Sequence, residues 1–256
     1  MVAGRSVPGL FLALMCIAGG PFARAQQPPA QSAPSQSAGV NAERVLARAR
    51  QALGGAERLS AVASLVVEGT RTRSPGSPYS ESDAFGFKLL RPGRYQSLAS
   101  EYRHTIDGDA FWMYERAGDI VIDNEIRTIA ERSTRWSFIE HSLLFLMTIP
   151  ETVRAEVRYI GAIADDPNGR EWIEVAAAGF RIPLSAGFDR TTGMPAVLQV
   201  QGSLGVMVLS LGGYKAVDGI LFPFTVEDRI GDHVAVTTIS SIKVNSGVLA
   251  ADFARR

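Results

Sequence analysis

Turn-forming dipeptides recur along this chain at strand-length intervals, and that spacing constrains the fold more than any other feature. Pro92-Gly93 separates residues 80–90 from 94–102, Asp107-Gly108 precedes 110–115, and Asn168-Gly169 lies between 155–164 and 170–177. Thr192-Gly193 separates 180–189 from 194–202, and Gly231-Asp232 joins 221–230 to 233–244. Parallel neighbours need crossovers of about a dozen residues, and these gaps are too short. Together with a first strand at Leu65-Val66-Val67-Glu68-Gly69, the runs predict about ten or eleven antiparallel strands, joined mostly by hairpins. A Gly-first two-residue loop such as Gly231-Asp232 suits a type II′ turn, whose twist matches that of the flanking strands.

Alternation within the runs says how such a sheet is wetted. Phe222, Phe224, Val226 and Ile230 share one face, which also carries Asp228, while Thr225, Glu227 and Arg229 take the other. Ala155, Val157, Tyr159 and Ile163 oppose Arg154, Glu156 and Arg158, and Phe85, Phe87 and Leu89 align. One side is apolar and the other polar, as a sheet solvated on a single face requires. A sheet this long must curl or close. Few helices are available to cover it. Asn41 is placed to cap one, with Val45, Leu46, Ala49, Ala52 and Leu53 at helical spacing and Gly54-Gly55 ending it; a short turn at 56–61 follows. Residues 124–150 break the strand rhythm with helical spacing that runs from Ile126 to Met147. Their second half, with Phe138, Leu143, Phe145 and Met147, is apolar on more than one face. It is either a lid over a cavity or a buried core helix. The fold class is therefore mainly β with helices (α+β), a curved antiparallel half-barrel of about eleven strands capped by helices.

The N-terminus reads as an export signal. Arg5, the apolar stretch from Val7 to Gly20 and the small-x-small Ala23-Arg24-Ala25 have the layout of a signal peptide over residues 1–25, cut before Gln26. An uncleaved anchor is the alternative, although the stretch falls short of the roughly 20 residues of a membrane span. Residues 26–40, built from Gln, Pro, Ser, Ala and Gly as far as Gly39, are expected to form a disordered leader, and 41–256 a single domain. Cys16, the only cysteine, lies in the signal, which leaves the mature chain no disulfide, thiolate site or thiol nucleophile. Removing 1–25 takes away Arg5 and Arg24 and no acid, so Lys+Arg falls from 26 to 24 against 26 Asp+Glu. That balance gives no reason to expect nucleic acid as a partner.

Groupings that carry chemistry are missing. His104, His141 and His233 have no zinc spacing, and no Gly-x-Ser-x-Gly is present. Asp165-Asp166 suits turn chemistry better than a calcium loop. Glu81 with Asp83, or Glu171 with Glu174, are weak candidates for an acid and base. His141 is expected to satisfy a backbone group. No enzymatic activity and no cofactor are expected.

Asp107-Gly108 with Phe111-Trp112-Met113-Tyr114, the turn Asp189-Arg190-Thr191-Thr192-Gly193-Met194-Pro195, and Tyr214 with Val217-Asp218-Gly219 and Phe222-Pro223 resemble the LolA/LolB-like periplasmic lipoprotein carriers. The resemblance covers about residues 41–254, as pattern more than identity. It implies an unclosed barrel that holds acyl chains of a lipid or lipoprotein under helices, in a periplasmic protein expected to be a monomer. It also implies a functional arginine near the cavity, which Arg71, Arg73, Arg91, Arg94 and Arg103 leave unassigned. The expected wall and lid residues are Phe85, Phe87, Leu89, Phe111, Met113, Phe138, Leu143, Phe145, Met147, Phe222 and Phe224. Of the aromatic run, Phe111 and Met113 face one way and Trp112 and Tyr114 the other, so one pair at most lines a cavity. An envelope sensor or interaction domain, contacting a protein of the inner or outer membrane, is the second hypothesis.

Overall fold

A computed structural model describes residues 36–74, 81–98, 102–115, 124–163, 166–180, 183–202 and 205–255. The signal segment with Cys16, most of the leader and Asp165 lie outside the described residues. The first helix, α1, spans Gln36–Ala52, beginning five positions before the expected cap at Asn41. Pro34 is the last proline of the leader, and nothing in Gln-Ser-Ala-Gly-Val opposes a helix as strongly. Gly54 and Gly55 end it with φ of 125° and 107°, a backbone region costly for other residues. A one-turn helix, α2 (Ala56–Ser60), leads into the sheet.

Twelve strands form one antiparallel, unclosed sheet, a curved half-barrel. The chain first builds β1 (Ser64–Arg73), β2 (Ser82–Leu90), β3 (Arg94–Leu98), β4 (Tyr102–Asp107) and β5 (Ala110–Glu115). A long helix, α3 (Asn124–Leu146), follows. The other half contains β6 (Ala155–Gly161), β7 (Glu171–Ala177), β8 (Leu184–Phe188), β9 (Pro195–Gly202) and β10 (Gly205–Gly212). A separate small hairpin, β11 (Lys215–Val217) with β12 (Ile220–Phe222), precedes β13 (Thr225–Ile230) and β14 (His233–Val244). The order across the sheet is β5-β4-β3-β2-β1-β14-β13-β10-β9-β8-β7-β6, so β1 and β14 join two runs of hairpins.

Strand boundaries at the glycine turns fall where the sequence puts them, and three differences have local causes. The run 94–102 holds β3 and the first residue of β4, and β4 itself, Tyr102–Asp107, is an added strand, because no glycine or proline between Leu98 and Tyr102 marks where it starts. Residues 221–230 divide at Pro223, which has no N–H for the ladder. The run Val206–Leu211, apolar without clean alternation, is β10, which no turn dipeptide announces.

One face of the sheet is covered by helices. α1 lies against β6 and β7, and α3 against β4 and β5. Val45, Leu46, Ala49 and Leu53 of α1 are buried, as are Phe138, Leu143, Leu144 and Phe145 of α3. Glu171, only 7% exposed, pins α1 to β7. It accepts bonds from Arg44 (3.0 Å), Arg48 and the Tyr159 hydroxyl (3.2 Å). Burial pushes its carboxyl up, but those donors outweigh burial and hold it below the usual range. The opposite face is capped locally. Phe253, in a 3-10 turn at Ala250–Phe253, is fully buried there near Gln96, whose amide donates to Thr105 and to the Asp252 carbonyl.

Candidate functional site

Between the helices and the sheet runs a trough whose depth is legible in burial along single strands. On β1, Leu65 and Val67 are fully buried, whereas Arg71 and Arg73 on the same face keep accessible surface. β2 runs the other way: Leu89 and Phe87 are buried, Phe85 and Asp83 half-buried. Register places Leu65 opposite Leu89, Val67 opposite Phe87, and Arg71 opposite Asp83. The trough therefore has a closed floor and an accessible rim. Both helices end at the floor, where the Arg50 guanidinium of α1 donates to the Met147 carbonyl after α3 and the Leu221 N–H to the Leu53 carbonyl.

The floor is an aromatic stack. His141 of α3 lies on Phe87 with ring centroids 4.3 Å apart, and Phe145 meets Phe87 at 5.3 Å and Phe222 at 6.4 Å. Tyr95 stacks on Phe138 at 5.4 Å and bonds the His141 Nδ1 through its hydroxyl at 2.9 Å. His141 is thus satisfied by a side chain, not by the backbone group expected from sequence. Burial, with help from Arg71, pushes its imidazole down to about 3, so it is neutral near pH 7. Burial also raises the Tyr95 hydroxyl well above the ordinary tyrosine range.

Of the eleven expected wall residues, Phe87, Leu89, Phe111, Phe138, Leu143, Phe145, Met147 and Phe222 are buried in this core. Phe85, Met113 and Phe224 are half-buried against its edge. Met207, Leu211, Val157 and Tyr159, which the sequence pattern did not single out as wall residues, share that half-buried position on the helix-covered side. Register shows why: Leu211 faces Val226 and Met207 faces Ile230, on the strand next to the face already read as apolar. In the aromatic run, Phe111 and Met113 point inward, and Tyr114 on the other face is 61% exposed.

Charge enters the trough toward the rim. Asp228, the acid on the apolar face of β13, is buried and accepts a hydrogen bond from the Arg71 guanidinium. Arg73 pairs with Asp83 beside it. Of the other arginine candidates, Arg94 forms an ion pair with Asp107, Arg91 donates to Thr148 and to the Ser60 carbonyl, and Arg103 is exposed. Glu140 of α3 lies within electrostatic reach of Arg71 and Asp228. Burial is the main force on it and pushes its carboxyl up to about 7, with Asp228 adding and Arg71 opposing. Glu140 nonetheless keeps part of its surface accessible. A pocket of about 110 Å³ lies where α3 ends, among Leu89, Arg91, Phe138, Ser142, Leu146 and Pro150. Ligand clefts usually offer roughly 300–1,000 Å³, so this one is small for a lipid tail.

The acid–base candidates are engaged elsewhere. Glu174 points to the outer face and pairs with Arg158, away from Glu171. Asp166 caps its turn by accepting from the Asn168 and Arg170 N–H groups and the Trp172 indole, as turn chemistry predicts. His233 is exposed. Among the described residues, no three His, Cys, Asp or Glu side chains are grouped to hold a metal, and no helix is long and apolar enough to cross a membrane.

No family model and no curated protein matches the chain. Solved structures do. A LolA superfamily protein from Nitrosomonas europaea superposes with a TM-score of 0.56 at 9% identity, covering 84% of this chain and 97% of that one. A DUF1329 family protein from Desulfovibrio piger gives 0.55 at 11% identity, with the same coverages of 84% and 97%. A domain from Vibrio parahaemolyticus, named for outer membrane lipoprotein sorting, gives 0.53 at 13%, covering 83% of this chain and 97% of that one. The architecture is the LolA-like fold, as the sequence motifs implied; at these identities the likeness is one of fold.

Proposed function

We propose that the chain is an exported, periplasmic carrier or binder that holds the acyl chains of a lipid or lipoprotein non-covalently in the trough between its helices and its sheet. One observation carries this reading. Phe85, Met113, Val157, Met207, Leu211 and Phe224 continue the core's apolar face yet remain only half-buried. A core that served stability alone gains by covering such side chains, at about 25 cal/mol for each Å² removed from water. Leaving such side chains accessible across the helix-covered face, from β5 at one edge to β6 at the other, suits a surface completed by a ligand. An exposed acyl chain forgoes about 0.8 kcal/mol per methylene, which for a long fatty acyl group sums to roughly 12 kcal/mol. The fold shared with a LolA superfamily protein and with a lipoprotein-sorting domain supports the same class of ligand.

The test is to isolate the protein from the periplasm, extract it with organic solvent and analyse the extract by mass spectrometry, then titrate emptied protein with a fluorescent fatty acid. The expected outcome is co-purifying lipid and saturable binding that Met207→Glu weakens at least about tenfold, equivalent to 1.4 kcal/mol. Protein that is consistently empty and does not bind the probe overturns the proposal. Recovery of one stoichiometric membrane protein without lipid supports the sensor reading instead.

A further inference from the structure

Deepening the carrier reading, on which it rests, we infer that the rim of the trough selects the ligand's headgroup, accepting an amine or another hydrogen-bond donor and rejecting an anion such as a carboxylate or phosphate. The inference starts from which charges are already used. Arg71 is held by Asp228 and Arg73 by Asp83, each pair within one continuous face of β13, β14, β1 and β2. An anionic head would have to draw a guanidinium away from its aspartate and leave that carboxylate half-buried and uncompensated. Removing one member of an enclosed ion pair is costly.

Glu140 differs from these four. Among the described residues it has no hydrogen bond, and it keeps accessible surface. The next residue of α3, His141, stacks on Phe87 and meets the ring of Phe85 at 5.8 Å, and Phe85 lies one inward position from Asp83, so this turn of α3 sits over the β2 end of the rim. The ionisable groups within electrostatic reach of Glu140 are Arg71 of β1, Asp228 of β13 and the Tyr95 hydroxyl of β3, with neutral His141 beside it on α3. The two ion pairs cancel, so an ionised Glu140 leaves this part of the rim with one negative charge. A tail laid across Phe85 and Leu211, which is level with Arg71, leaves its head at this part of the rim within reach of that carboxyl. An ammonium head supplies the opposite charge and donors to an acceptor that lacks any, at no cost to the existing pairs.

The experiment compares dodecylamine with laurate, both below their micellar concentrations, as competitors of a pyrene-labelled monoacylglycerol bound to the full chain. Both heads keep their charge between about pH 6 and pH 8, so any change across that range belongs to the protein. The expected result is a preference for the amine of about fivefold or more near pH 8, corresponding to about 1 kcal/mol. It should shrink toward pH 6 and disappear in Glu140→Gln. Wild-type pH dependence decides the matter if that variant does not fold. Laurate binding as tightly as the amine, or a preference that ignores both pH and Glu140→Gln, overturns the headgroup inference while the carrier reading stands. Failure of the uncharged probe itself to bind overturns both.

Discussion

Two adjacent residues of α3 respond to pH in opposite directions. His141 is buried and neutral, its imidazole pushed down to about 3 by burial and by Arg71, and burial takes His104 down to about 4. Unfolding lets both imidazoles take up a proton below their ordinary 6.5, so their contribution to stability is lost as pH falls. Glu140 runs the other way. Its carboxyl rises from 4.5 to about 7 on folding, so the folded state holds a proton that the unfolded chain releases between those values. Stability from this group is full below 4.5 and falls as pH rises to about 7. Glu140→Gln removes that loss. Because water reaches Glu140, the gain of the variant over wild type should be on the order of 1 kcal/mol at pH 7 and near zero at pH 4.5. Urea denaturation across this range checks it; a difference that does not change with pH shows Glu140 to be fully solvated.

At the scale of elements, the outer face depends on its caps. Phe253 fills a site over β3 and β4 with no exposure, held by the Gln96 bond to the Asp252 carbonyl and by the Leu249 N–H donating to Asp252. Phe253→Ala should cost about 3–5 kcal/mol in chemical denaturation, the range for a large buried aromatic. A loss under about 1 kcal/mol would show that the segment is peeled off in solution. This cap was not legible in sequence, because a lone Phe in Ala-Asp-Phe-Ala carries no periodicity. Hairpins were legible where a glycine requires positive φ, as at Gly108 (59°) and Gly231 (56°), both inside two-residue loops. α3 was legible because helical apolar spacing at Ile126, Ile129 and Ala130 resumes from Trp136 to Leu146 with no glycine or proline between. The site was half legible. Asp228 stands out in the alternation as an acid on an apolar face, but its partner Arg71 is 157 positions away and reaches it across β14. Nothing local in Asp228's own strand selects Arg71 among the five candidate arginines. Glu140 reads as an ordinary polar helix position until α3 is laid against the sheet.

For the whole molecule, the distribution of burial along α3 says where the trough can open. Its buried residues are sparse at first, Ala130, Ser133 and Thr134, and then dense from Phe138 to Leu146. The dense end is also where the Arg50 guanidinium of α1 reaches the Met147 carbonyl and where the aromatic floor sits. Few buried apolar contacts mean a low cost of local opening, so the first half of α3 should exchange its amide hydrogens faster than the second. Across the trough, Trp136 rests on Phe180 with ring centroids 5.1 Å apart, a contact that opening of this half would break. A ligand seated among Phe85, Met207 and Leu211 would add apolar contacts on the sheet side of that segment without changing the floor. Hydrogen exchange measured with and without a bound fatty acid should show slowing in residues 124–137 and at the rim ends of β1, β2 and β13. Leu65–Val67 and 138–146 should be unchanged. Uniform slowing along the whole of α3 would mean that the helix moves as one body, and protection confined to the floor would place the ligand at the closed end instead.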